Sequence, residues 1–493
     1  MDYDWNIKLN SKNLEVACLL KEELRVRALS MIQLPAHFQP ILEERFEGEN
    51  GQGEAVFSWS DEGREEGITV NLDLEGNLTG LSTDILADTA NTVFLNTEEK
   101  RKRAEQFLIS HYPNALESLT LYKTTERTPA IRFEFGQVVM GIPLDQAGCF
   151  MDVDSAGNIV NFTYYGVKQI PDIPTTLISK EALIEHVKSR LDFQLKITNL
   201  YSSFYDVAED GIRLVYDPVQ DCMDYKADVL KPTLTHEHDE DVAQMYVPLT
   251  APAKPIIRTP LSVEEVVGIS DRMEIIREVD MGEETGIVWR ERDWEMTEQD
   301  LSVDGFFKRQ TEDTVKAFVS KETGNVRSFA WFKERKGDLY LSHEVCYQKA
   351  TEFLQMMIPD YCDYLQLIVR EEEEDERTLE SFVFHMHNGH GIPVQLDMVM
   401  VAVNRTTGKI DHYSGPSFGI EKLSELPIEP AISKDEASEA FMNQLDFELA
   451  WKQDYDSDME SYLLTYQACN RSSRTTIRYI DAMTGAVISA KEY

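Results

Sequence analysis

The sequence predicts an α+β fold: tandem small units, each one helix followed by an antiparallel β-meander, arranged as two similar halves. Three observations carry that expectation. A long repeat runs through the chain at an offset of 250 residues (391 − 141), a shorter element recurs at spacings of 77 to 84, and helix-start signals precede the recurring element.

The long repeat is legible by eye. GIPLDQAGCFMDVDSAGNIVNF runs from Gly141 to Phe162, and GIPVQLDMVMVAVNRTTGKIDHY from Gly391 to Tyr413. Upstream, KRAEQFLISHYP ends at Pro113 and QKATEFLQMMIP at Pro359, an offset of 246. Downstream, SKEALIEHVKSRLDFQL starts at Ser179 and SKDEASEAFMNQLDFEL at Ser433, an offset of 254. An offset that drifts in this way is what small loop insertions do to two copies of one fold. The halves are therefore 1–250, with units at about 1–90, 91–173 and 174–250, and 251–493, with units at about 251–335, 336–428 and 429–493.

The shorter element is an apolar run, a polar turn ending in Gly, and a second apolar run. It turns at Gly76, Gly157, Gly324, Gly408 and Gly485. Alternating runs have the period of strands. A side chain such as Asp154, Asn404 or Asp481 accepts backbone N–H groups in the turn, and Gly supplies the positive φ that closes it. A sixth turn is due near residue 235, where LKPTLTHEHDED stands instead. Five units thus keep the turn and one replaces it with a longer acidic loop.

Helices precede the hairpins. Cys346, Ala350, Phe353, Leu354 and Met357 form one stripe of a helix that starts at Ser342. Ser433 with Glu436, Asn96 with Glu99, and Ser262 with Glu265 have capping-box spacing, and Ser179 opens a further helix. Ser11 to Leu29 is the first of the six.

A helix followed by strands that end in D-x-x-(x)-G-x-(I/V) resembles the PepSY type of domain found in propeptides of zinc metallopeptidases. The doubled arrangement, with GIP(L/V) before the turn and an SK(E/D) helix after it, resembles the YcdB/YcdC repeat family of spore-forming bacteria. The resemblance covers about residues 30–493 and is best over 97–217 and 343–485. It implies a non-catalytic module, peptidase-inhibiting or chaperone-like.

Composition bounds the partners. Of 493 residues, 88 are Asp or Glu and 48 Lys or Arg, a formal net charge of −40. Such a surface repels phosphate backbones and anionic lipid heads, so neither nucleic acid nor membrane is expected as a partner. The opening residues lack a basic segment followed by an apolar one, and no stretch reaches the length of a membrane helix. Cys18, Cys149, Cys222, Cys346, Cys362 and Cys469 are scattered without a C-x-x-C pair. Together these point to reduced thiols and a cytoplasmic location.

Candidate chemistry is sparse. Gly415 to Gly419 reads GPSFG, the nucleophile-elbow pattern around Ser417. The elbow needs a helix directly after the serine, and prolines at 427 and 430 stand there. The segment HEHDED sets His236 and His238 two residues apart among carboxylates, and HMHNGH does the same with His385 and His387. On an extended segment each pair shares a side and could hold a divalent metal. Against this, Asn388-Gly389 is a hairpin signal, and turn tips collect polar residues. EEEEDE, Glu371 to Glu376, lacks the ligand spacing of a calcium loop and reads as a solvated hairpin tip. No phosphate-binding glycine loop or H-E-x-x-H motif is present, and no cofactor is expected. The expected function is protein or peptide binding without turnover, a peptidase included among the partners. The alternative is a hydrolase or metal-binding protein with a site between the halves. Sequence gives no oligomeric state.

Overall fold

A computed structural model of the chain describes residues 11–47, 53–61, 66–85, 94–219, 223–233, 245–249, 261–295, 300–369, 377–417, 419–425, 429–454 and 461–491. His236, His238 and the acidic run 371–376 lie outside these residues.

The chain proceeds in six units. The first holds α1 (Ser11–Met31), β1 (Gln39–Glu47), β2 (Gly53–Asp61), β3 (Glu66–Asp73) and β4 (Leu78–Thr83). The second holds α2 (Thr97–His111), α3 (Ala115–Ser118), β5 (Thr120–Arg127), β6 (Ala130–Val139), β7 (Ile142–Val153) and β8 (Ile159–Gly166). The third holds α4 (Lys180–Arg190), β9 (Phe193–Leu200), β10 (Gly211–Pro218), β11 (Asp224–Lys226) and β12 (Met245–Pro248). In the fourth are α5 (Val263–Val267), β13 (Met273–Asp280), β14 (Glu284–Glu291), α6 (Val303–Thr311), β15 (Val315–Ser320) and β16 (Val326–Trp331). The fifth has α7 (His343–Met357), a 3₁₀ turn (Pro359–Tyr364), β17 (Leu365–Val369), β18 (Leu379–His387), β19 (Pro393–Asn404), β20 (Ile410–Ser414) and α8 (Ile420–Ser424). The sixth has α9 (Lys434–Gln444), β21 (Leu445–Gln453), β22 (Tyr462–Asn470), β23 (Ile477–Asp481) and β24 (Val487–Ser489).

Local chemistry fixes these elements. Asn96, Ser262 and Ser433 each accept the backbone N–H three residues on, and Glu99, Glu265 and Glu436 close the capping boxes. Gly76, Gly157, Gly324, Gly408 and Gly485 have φ of +83°, +90°, +70°, +68° and +76°. The turns come in two lengths. Asp73 and Asp154 accept the N–H of Gly76 and Gly157 three residues on, whereas Ser320, Asn404 and Asp481 accept that of a glycine four residues on. Each turn is held inside by the side chain of its first residue, as when Asp154 Oδ1 accepts from Ala156 and Asn158.

The six units do not form six sheets. One sheet runs β1-β2-β3-β4-β8-β7-β21-β22-β11, with β6 and then β5 attached to β7. The other runs β13-β14-β15-β16-β20-β19-β9-β10-β23-β24, with β18, β17 and β12 continuing from β19. The boundary at residue 250 therefore separates the two copies in sequence, but hydrogen bonding crosses it. The last unit gives β21 and β22 to the first copy's sheet, and the third unit gives β9 and β10 to the second copy's. The two junctions are parallel bridges, Leu144 to Trp451 and Val394 to Ile197. They are the same bridge twice, because 394 − 144 is 250 and 451 − 197 is 254.

Side chains lock the exchange in reciprocal pairs. Lys180 Nζ lies 3.0 Å from Asp446 Oδ1, and Lys434 pairs with Asp192. Tyr466 donates its hydroxyl to the Ile178 carbonyl and Tyr216 donates to that of Ile432, both at 2.9 Å. Trp451, 2% exposed, sits on the seam and donates Nε1–H to the Val139 carbonyl at 3.1 Å. One hydrophobic cluster accordingly joins the third unit, with Val139, Leu144 and Ala147 of the second, to the second copy, while Phe57, Trp59, Phe133, Phe135 and Phe162 centre a separate core in the first two units.

Two consequences are measurable. Burial favours the neutral acid at Asp446, but hydrogen bonds from Arg474 and Lys180 outweigh it and hold the carboxyl at about 2. A depressed folded pKa contributes stability above the unfolded value of roughly 4 that is lost as pH falls toward 2. The wild type should thus lose its stability advantage over Asp446→Asn between pH 4 and 2, read as melting temperature against pH. In the turns, Gly408→Val should destabilise the protein by about 1–2 kcal/mol. Its Cβ would lie 3.1 Å from Lys349 Cε at a φ of +68°, and an unchanged melting temperature would remove the glycine from this role.

Candidate functional site

At the first junction β7 changes partner along one edge. β8 accompanies it from Val153 back to Gly148, and β21 meets it at Leu144. The residues between are Asp145, Gln146 and Ala147. Gln146 takes φ +48°, a left-handed conformation unusual for a side chain of its size. Gly148 takes φ +101°, and a Cβ there would lie 2.0 Å from the Phe135 carbonyl oxygen. Only glycine fits, so the strand bends and the two partner strands part.

The parting leaves a cavity of about 510 Å³. Strand alternation supplies its floor: Phe133 and Phe135 of β6 enter the core, and Arg132 and Glu134 take the opposite face. Tyr122 of β5, Asp145 and Phe150 of β7, Tyr165 of β8, and Trp451 and Lys452 of β21 stand in its walls. Arg132 forks onto Asp152, with Nε–Oδ1 and Nη2–Oδ2 both 2.7 Å, and its guanidinium lies 4.0 Å above the Phe150 ring. Lys452 Nζ is 3.2 Å from Asp224. Tyr122 donates its hydroxyl to Glu134 Oε2 at 2.9 Å. Burial, then the Glu134 and Asp145 carboxylates, push the Tyr122 phenol well above its ordinary range. Cys149 also reaches the cavity, and burial pushes its thiol up to about 12.

The second copy does not repeat this chemistry. The pairings Phe133–Met151 and Phe382–Val401 align the two floors, so Ser381 and Val383 replace Arg132 and Glu134. Asp397 stands at the position of Ala147 (397 − 147 = 250), 4% exposed, and burial raises its carboxyl.

The copies also differ at a sheet edge. β5 and β17 are equivalent, as Leu121 faces Phe135 and Leu367 faces Phe384. In the second copy β12 pairs with the outer side of β17, Val247 opposite Leu367. Among the described residues β5 pairs with β6 alone. Contrary to the expectation that the sixth turn is replaced, the chain still folds back on β11 without a glycine, Tyr225 bridging Pro232 and Lys226 N–H donating to the Lys231 carbonyl. β12 comes after this turn and reaches across to β17.

The residues singled out from sequence scatter. His385 stacks edge-on against Tyr246 at 5.9 Å. His387 Nδ1 accepts the Gly389 N–H at 2.9 Å inside the hairpin turn, and burial lowers its pKa. Among the described residues no group of three His, Cys, Asp or Glu side chains is placed to hold a metal. Ser417 follows β20, and a helix does begin soon after it, the five-residue α8. Its backbone N–H goes to Asp397 Oδ1 at 3.1 Å, and no imidazole is hydrogen-bonded to it among the described residues. Sequence reasoning passed over the cavity residues Tyr122, Arg132, Glu134 and Asp145. Their one signal is the G in QAG, whose meaning appears only once Gly136 is placed opposite it.

A thiol held at about 12 is protonated at neutral pH. Cys149 should therefore resist alkylation at pH 8 in the folded protein and react freely in denaturant, as mapped by peptide mass.

The YcdB, YcdC repeated domain matches the chain twice, over residues 21–166 and 258–417. Both matches stop short of the third and sixth units, the ones exchanged. The chain is 31% identical over 476 residues to the uncharacterized protein YcdB of Bacillus subtilis (strain 168), covering 95% of this chain and 98% of that one. It is 27% identical over 471 residues to the uncharacterized protein YcdC of the same strain, covering 94% and 98%. Against the Bacillus megaterium YpeB C-terminal domain the identity is 15% and the TM-score 0.25, over 47% of this chain and 94% of that one.

Proposed function

The chain belongs to the YcdB/YcdC repeated-domain family, and from that premise we propose that it binds extended protein or peptide segments without turnover, by adding a strand to β5. One observation carries this reading. The fold fills the equivalent edge of β17 with its own β12 and leaves β5 with a single partner strand among the described residues. An unpaired edge is a template for another chain, and the β12–β17 pair is a worked example of the occupant: short, antiparallel and ended by Pro248. Side chains along β5 alternate between exposed and half-buried, which suits a partner that makes its bonds through the main chain. The net charge of −40 favours a basic partner and a binding that weakens with salt. A peptidase segment, as the PepSY resemblance implies, is one such partner.

Hydrolysis is the weaker reading. The cavity lining contains neither histidine nor serine, and its one cysteine is protonated at neutral pH. The test uses an eight-residue probe, AQMYVPLT, which is the chain's own sequence at 243–250 and includes β12. Titration should give saturable binding, with the peptide recovered intact. Thr124→Pro in β5 removes a main-chain donor from the edge and should abolish it while leaving the melting temperature nearly unchanged. Undiminished binding to that variant would sink the proposal. Multiple-turnover cleavage lost in Ser417→Ala would install the hydrolase.

A further inference from the structure

We propose that the cavity at the β7–β21 junction receives a cationic side chain, arginine before lysine, from the segment that pairs with β5. The inference rests on the strand-addition reading only for how that side chain arrives. Tyr122 connects the two sites, because it belongs to β5 and also walls the cavity. It is the extra residue where the β5–β6 register shifts between Leu121 and Lys123. Its ring lies over Gly136, where a Cβ would come within 2.7 Å of it. Its hydroxyl is anchored on Glu134. The edge and the cavity thus share one fixed side chain.

Charge selects the ligand. Two cations line the cavity, and both are committed. Arg132 spends its fork on Asp152 and its face on Phe150, and Lys452 is paired with Asp224. What remains is acceptor capacity. Glu134 uses Oε2 for Tyr122, and Asp145 is exposed and offers its carboxylate. An anion entering here would meet Glu134 and Asp145 together. An aliphatic side chain would strip water from the two carboxylates and give them nothing in return. A guanidinium satisfies them with directed N–H bonds and lies flat against the Tyr122 and Tyr165 rings. Lysine supplies the charge without the plane. The second copy has Val383 and Gln395 where the first has Glu134 and Asp145, and its edge is already filled.

The experiment separates this inference from strand addition by using ligands too small to form a strand. N-acetyl-arginine amide, its neutral isostere N-acetyl-citrulline amide, and N-acetyl-glutamate amide are titrated calorimetrically into the full chain at low and high salt. The arginine amide should bind, more weakly in salt, and roughly tenfold more tightly than citrulline. Glu134→Gln with Asp145→Asn should lower its affinity by a similar factor without changing the melting temperature. Thr124→Pro should leave arginine-amide binding intact while abolishing that of AQMYVPLT. Absence of arginine-amide binding, equal affinity for citrulline or glutamate, or an unaffected double variant would each overturn the cavity assignment. Strand addition would still be read by the peptide alone.

Discussion

Lys180 reaches Asp446 and Lys434 reaches Asp192, and these two ion pairs frame the seams on which the architecture hangs. Neither copy of the repeat closes its own sheet. Each ends at a parallel bridge to a strand that belongs, in sequence, to the other copy's third unit. Half-exposed pairs of this kind add little energy by themselves, because solvent screens them. Their value is registry. A lysine at the second position of SK(E/D) and an aspartate at the entry to β9 or within the first residues of β21 pair only when the units are exchanged. Hydrophobic burial around Trp451 and Phe441 then supplies the energy that the pairs direct.

The exchange decides where edges are left. A sheet that receives two foreign strands must end somewhere, and this chain covers its ends unequally. The outer side of β1 is met by the segment leading into α6, as Glu43 N–H donates to Leu301 and Arg309 donates to Ile41. β17 is met by β12. One cover comes from α6, an insertion with no counterpart between β2 and β3, and the other from the stretch that leads from the first copy to the second. An internal duplication has therefore become asymmetric at its periphery while remaining symmetric at its seams. Differences between copies are where a duplicated fold places new chemistry, and the cavity floor differs in the same copy whose edge is left unfilled.

Much of the local structure was legible. Asn96–Glu99, Ser262–Glu265 and Ser433–Glu436 announce helices because a capping box is complete within four residues. The five glycine turns announce hairpins for the same reason. Arg474 shows the limit of that signal. It sits at φ +65° in a turn built on Asn470 like the others, with Arg in the glycine position, and a search for glycine passes over it. The exchange was illegible for a deeper reason. SKEALIEHVKSRLDFQL states a helix and a strand, but nothing in a strand's own sequence says which neighbour it will lie beside. The cavity inherits that illegibility, since the wall formed by Ala450, Trp451, Lys452 and Gln467 arrives from the distant sixth unit. α6 was missed as well, an inserted helix with no counterpart in the first copy.

Strand exchange also sets a timetable. Leu144 and its partner Trp451 are separated by 307 residues (451 − 144). At ribosomal rates of about 5–20 residues per second, roughly 15–60 s pass between their emergence. Through that interval the first copy's β7 presents a bare edge beside a half-built core. Contacts this distant along a chain make folding slow. The nascent protein is thus for a time the kind of unsatisfied strand acceptor that, once complete, it still offers at β5. Its dense negative charge is then useful early, keeping neighbouring nascent chains apart until the late-made strands arrive.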